Sequence, residues 1–154
     1  MTHPAPPTDP ARLTITELHQ TLATGRSVVV SMRAASGHRH LIEWARRHHL
    51  FVPVDRTSDW GNPFVLGRDG NRDDVLRAHA RHLADRPGLR ARLRRGELAA
   101  RVLGCWCAPK PCHGHTLAAL SLDPDLDPLA VVPTRQHRRS DRPEVGHPAS
   151  RHHR

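Results

Sequence analysis

The sequence predicts a single small α/β domain with a mostly parallel sheet flanked by helices and with disordered termini. Three observations carry that expectation. Short apolar runs of strand length alternate with segments of helical periodicity, the order that builds a parallel sheet with crossover helices. The first run, Ser27-Val28-Val29-Val30-Ser31-Met32, has too few polar positions for a strand with one wet face, so it reads as buried on both. A chain of 154 residues is long enough for one domain with a real core and too short for two comfortable ones.

The elements follow in order. Residues 1–11, rich in Pro and Thr, form an expected disordered arm. Thr14 and Glu17 make a capping-box pattern that opens a helix with Leu18 and Leu22 one turn apart, closed by Gly25. After the first strand, a helix is expected from about Gly37 to His49, its apolar stripe made of Leu41, Ile42, Trp44 and Ala45. His38, His40, His48 and His49 fall outside that stripe and are expected at the surface. Phe51-Val52-Pro53-Val54 is the second strand, and Pro53 marks it as an edge or a strand end. A long loop from Asp55 to Gly70 leads to Asn71, which caps a third helix with Asp74 at the partner position and Val75, Leu76 and Leu83 facing inward. Pro87-Gly88 breaks it, a short helix runs from about Leu89 to Arg95, and a further turn starts near Glu97. The third strand is Val102 to Cys107 and the last helix His113 to Leu122. From Asp123 to Arg154, Asp-Pro pairs give way to an Arg, His and Pro-rich tail expected to be disordered, so the α/β domain is 12–122.

Aromatic content is only 3%, so the core must be built from Leu, Val and Ala. No apolar run approaches a membrane span and the N-terminus lacks a signal-peptide pattern, so a cytoplasmic protein with no membrane partner is expected. Three cysteines, an odd number, argue for reduced thiols. The formal charge of +9 is compatible with nucleic-acid binding, since Arg neutralises phosphates. That inference is tempered by composition. Only Lys110 is Lys among 24 basic residues, a bias that a GC-rich genome produces by itself.

All three cysteines lie between Cys105 and Cys112, followed by His113 and His115. On a strand, Cys105 and Cys107 would share a face, while the two prolines of Ala108-Pro109-Lys110-Pro111 turn the chain so that Cys112 returns to the strand end. Cys112 would then stand at a helix N-terminus, where positive partial charge favours thiolate. Three readings stay open. Cys105, Cys107, Cys112 and His113 or His115 hold a zinc ion. Alternatively, Cys112 is an activated nucleophile with His113 as its base. In the third, the cysteines are small buried apolar residues.

A second motif, Trp60-Gly61-Asn62-Pro63-Phe64, interrupts the long polar loop with a rigid turn. Pro63 restrains Asn62, so its carboxamide can project at a fixed angle toward a base edge or ribose, or else close an Asx-type turn beneath Trp60 and Phe64. Asp55 and Arg56 directly follow the second strand, at the sheet edge where open α/β folds bind ligands. Arg68 or Arg72, beside free N–H groups at the third helix start, would suit a phosphate.

Taken together, Asp55-Arg56 through Gly61-Asn62-Pro63-Phe64, Gly67-Arg68-Asp69-Gly70-Asn71-Arg72, and Cys105-Trp106-Cys107-Ala108-Pro109 with Pro111-Cys112-His113-Gly114 resemble domain of unknown function 4326, an uncharacterised bacterial and phage family. The resemblance covers roughly residues 51–120. It departs at His115, where the family often carries an acidic residue. More distantly, the Cys-His end is similar to other small α/β domains, which implies a role related to nucleotides or nucleic acid. The expectation is therefore an enzyme acting on a nucleotide, nucleoside or nucleic-acid base. Asp55, Arg56, Asn62 and Arg72 would bind the substrate, and Cys112 with His113 would do the chemistry. The alternative is a zinc-stabilised nucleic-acid-binding or protein-interaction module without catalysis. Either way, the two motifs should meet at the C-terminal edge of the sheet.

Overall fold

The computed structural model describes residues 9–133. Three parallel strands, β1 (Val28–Ser31), β2 (Phe51–Pro53) and β3 (Val102–Cys105), form one sheet in the order β1-β3-β2. Helices α1 (Ile15–Ala23) and α2 (Arg39–Arg47) cover one face; α3 (Arg72–Ala84), α4 (Pro87–Arg94) and α5 (His113–Leu122) cover the other. Among the described residues, five α-helices around a three-stranded parallel sheet make a small α/β domain.

Strand periodicity divides the core. Val28 and Val30 of β1 and Val102 of β3 point to the α1/α2 face and pack with Leu18, Leu22, Leu41 and Ala45. Val29, Leu103 and Cys105 point the other way, toward Leu83, Leu93, Leu117 and Leu120. Every residue of β1 and β3 is buried, as the apolar run predicts. Pro53 sits on the edge strand β2 opposite Gly104, where a missing N–H costs no ladder bond on the outer side.

The capping signals are realised at both predicted positions. Thr14 and Glu17 exchange hydrogen bonds at the start of α1, and Asn71 and Asp74 do so at the start of α3. Elsewhere the structure departs from expectation. β3 ends at Cys105 rather than Cys107, because its neighbours β1 and β2 end at Ser31 and Pro53 and leave nothing further to pair with. The stretch after Gly96 is a turn and not a helix. His38 is not at the surface: it is 1% exposed, its Nδ1 accepts the Ser31 N–H at 2.8 Å and its Nε2 lies 3.4 Å from Asp9. Sequence periodicity could not place it, since it precedes the first turn of α2 and packs against the end of β1.

The expected arm 1–11 and tail 123–154 lie mostly outside the described residues. Their described parts carry turns of 3₁₀ helix, Pro10–Arg12 and Pro128–Val131, and Pro128 is buried. No helix among the described residues is long and apolar enough to cross a membrane.

Candidate functional site

The loops that leave β2 and β3, together with the first turns of α3 and α5, enclose a cleft of about 380 Å³ at the C-terminal edge of the sheet. The loop after β2 supplies Asp55, Arg56, Asn62, Phe64 and Leu66; the hairpin after β3 supplies Trp106, Cys107 and Cys112. Arg72 and His113, the first residues of α3 and α5, complete it with Val75 and Leu76 behind them. Two helix N-termini therefore open on the same space.

The β2 loop folds back on itself. A side chain at Gly61 would bring its Cβ within 2.5 Å of the Asp55 carbonyl oxygen and 2.6 Å of Arg56 Cα, so only glycine permits this approach. Asn62 closes the turn from within, its Oδ1 accepting the Phe64 N–H at 3.0 Å and its Nδ2 donating to the Val75 carbonyl at 3.0 Å. That is the Asx-type geometry, and it ties the loop to α3. One amide N–H remains for a ligand, far less than a carboxamide projecting freely would offer. Arg56 runs along the outside, donating from Nε to the Asn62 carbonyl at 3.1 Å and from Nη2 to the Phe64 carbonyl at 3.4 Å. Trp60 is buried beneath the Arg92 guanidinium, 4.8 Å from its ring centroid, and anchors the loop to the core.

Asp55 joins the two motifs. Its Oδ1 accepts from the Thr57 hydroxyl and N–H, and its Oδ2 accepts the Trp106 indole N–H at 3.0 Å. Those bonds, Thr57 foremost, hold its carboxyl below the usual carboxylate range. Trp106 is thereby fixed at the rim while 49% exposed, an unusual position for so large an apolar ring. Arg72 donates from Nη1 to the Pro111 carbonyl at 3.1 Å, pinning the cysteine hairpin to α3. Neither Arg56 nor Arg72 forms a salt bridge among the described residues.

The cysteines separate into a pair and a singlet. Cys105 and Cys112 are buried with their sulfurs 3.3 Å apart, while Cys107, past the end of β3, is partly exposed in the cleft. Two thiols this close titrate as a coupled pair. The hydrogen bond from Cys112 pulls Cys105 down to about 7, helped by the N–H of Ala108. The same partner, then burial, push Cys112 well above the ordinary thiol value. The neighbouring sulfur thus shifts the two thiols in opposite directions, Cys105 down and Cys112 up. His115 is likewise occupied, its Nδ1 accepting the Cys112 N–H at 3.2 Å. Among the described residues no three His, Cys, Asp or Glu side chains converge to hold a metal ion. Of the five side chains proposed as zinc ligands, Cys112 Sγ lies 3.3 Å from Cys105 Sγ and 3.5 Å from His115 Nδ1, while His113 Nε2 turns away to the Val54 carbonyl.

His113 is placed differently. Its Nε2 donates to the Val54 carbonyl, which fixes the tautomer and leaves the Nδ1 lone pair for whatever enters the cleft. Burial lowers its pKa and keeps the ring neutral. Behind it stands His79, fully buried on α3, in edge-to-face contact with ring centroids 5.0 Å apart. Burial, then the proximity of His113, push His79 down to about 3. Among the described residues, its Nδ1 and the Thr116 Oγ1 on α5 have no hydrogen-bond partner. Sequence reasoning passed over His79, although a histidine in the inward stripe Val75, Leu76, Ala80, Leu83 was a readable signal. Trp106, which sequence reasoning gave no role, lies past the end of β3 at the rim of the cleft.

No curated protein and no solved structure matches this chain. The family match begins at His38, well before the loop motifs, and so takes in α2 and all of the cleft. Residues 38–122 match the family described as Domain of unknown function (DUF4326), and the chain belongs to it.

Proposed function

We propose that the protein is an enzyme acting on a nucleotide, nucleoside or nucleic-acid base bound in the cleft between the β2 and β3 loops. One observation carries the reading: two arginines without carboxylate partners among the described residues, the N-terminus of α5 and two aromatic side chains, Trp106 and Phe64, converge on one space beside His113. Guanidinium groups and helix N-termini attract an anionic group, and flat apolar walls suit a planar ring. The volume lies in the range of small-molecule sites. Asp55 offsets one of the two positive charges, but its oxygens are already occupied by Thr57 and Trp106, so it shapes the rim and does not compete for the ligand.

Within that reading, roles differ from residue to residue. Arg56 and Arg72 hold the anion, Trp106 and Phe64 hold the ring, and Asn62 keeps Arg56 in place. His113, with a free Nδ1 and a fixed tautomer, is the group suited to take or give a proton. Cys112 is a buried thiol and supports the hairpin.

Calorimetric titration with the four nucleoside monophosphates tests it. At least one binds saturably to the wild type and more tightly than its nucleoside. In Arg56→Gln/Arg72→Gln the affinity drops about tenfold or more, the size expected from losing charge-assisted hydrogen bonds at a partly wet site. His113→Gln retains binding and loses turnover of the bound compound. Absence of saturable binding for all four compounds refutes the proposal.

A further inference from the structure

A second cleft, about 450 Å³, lies on the other side of the Gly61-Asn62-Pro63 turn, lined by Ser58, Asp59, His82, Arg86 and Leu89. Arg56 lines both clefts, so the two spaces are neighbours separated by one guanidinium and one turn. Resting on the reading above, we infer that the ligand is a single-stranded oligonucleotide, with one nucleotide in the first cleft and the phosphodiester-linked next one in the second.

Charge, size and lining point the same way. Arg86 is exposed and forms no salt bridge among the described residues. The one carboxylate lining the second cleft, Asp59, faces two lining arginines, Arg56 and Arg86, and pairs with Arg92, which Glu97 also engages. The balance of the second cleft is therefore positive. At about 450 Å³ the second cleft is larger than a lone terminal phosphate needs. Hydroxyl, imidazole and guanidinium groups dominate its walls, whereas the first cleft is mainly apolar. A sugar–phosphate unit suits the second, and a stacked base the first. Arg56 then lies where a bridging phosphate must pass. The Trp106 rim beside the first cleft supplies the stacking surface that single strands use.

Paired titrations separate this inference from the function it builds on. A nucleoside monophosphate and a 5′-phosphorylated dinucleotide of the same base are compared on wild type and on Arg86→Ala. Arg86 is exposed and makes no side-chain cap, so the variant keeps the wild-type Tm. The dinucleotide binds wild type about tenfold tighter and with a steeper salt dependence. In Arg86→Ala that advantage shrinks to within about twofold, and monophosphate affinity stays unchanged. A monophosphate that binds while the dinucleotide binds no better overturns the inference and leaves the first cleft standing. A dinucleotide advantage that survives Arg86→Ala also overturns it, because the second unit then lies elsewhere. If neither compound binds, both readings fall.

Discussion

The two faces of the sheet are built to different rules. On the α1/α2 face, Leu18, Leu22, Val28, Val30, Leu41 and Ala45 form an apolar layer from residues of ordinary core type. On the α3–α5 face the core includes a tryptophan and two thiols, with His79 and Thr116 buried alongside and carrying polar atoms that lack partners. The first arrangement maximises burial; the second accepts unsatisfied groups next to a cleft. The difference teaches that stability and the site were divided between the two sides of one three-stranded sheet, with β3 in the middle serving both.

The sharpest way to break that comparison is to cut a large side chain from each face. Leu41→Ala is expected to cost about 2–5 kcal/mol and Trp60→Ala about 3–5 kcal/mol in urea unfolding. Only Trp60→Ala should also weaken nucleotide affinity, because Trp60 anchors the loop that carries Arg56. Equal effects of both on affinity would erase the distinction between the faces.

A smaller effect comes from acid. His79 is held at about 3, against 6.5 for an unperturbed histidine, and burial lowers His113 and His115 as well. Below about pH 6.5 the unfolded chain takes up protons that the folded one refuses, so this contribution to stability is fully present above that pH and is lost as pH falls toward 3. Stability measured between about pH 5 and 6.5 should therefore fall with acidification, and His79→Gln should flatten the slope by up to one proton, about 1.4 kcal/mol per pH unit. An unchanged slope would mean that His79 is not neutral inside the fold.

The smallest effect sharpens the comparison. Thr116 buries a hydroxyl with no partner, so Thr116→Val removes a desolvated group and keeps the shape. The expected outcome is a Tm unchanged or raised by a few degrees, a shift of under about 1 kcal/mol. A clear loss of stability would show that the hydroxyl has a partner, such as an internal water shared with His79.

Local patterns made much of this legible. The capping boxes at Thr14 and Asn71, the doubly buried β1 and the edge position of Pro53 each depend on a few consecutive residues and came out as read. What failed depended on distance. The length of β3 is fixed by where β1 and β2 stop, so nothing between Cys105 and Cys107 could announce it. His38 looked like a surface residue because its partners, Ser31 and Asp9, belong to other segments.

By itself, then, the sequence determined the α/β class, the family and the two motifs from which the cleft is made, because periodicity, caps and residue types are local properties. Only tertiary structure decided what each motif residue does. Which way each thiol is shifted, which histidine keeps a free nitrogen and whether a carboxamide is spent on its own loop depend on the atoms that packing brings within about 3 Å, the range in which hydrogen bonds set charge and tautomer.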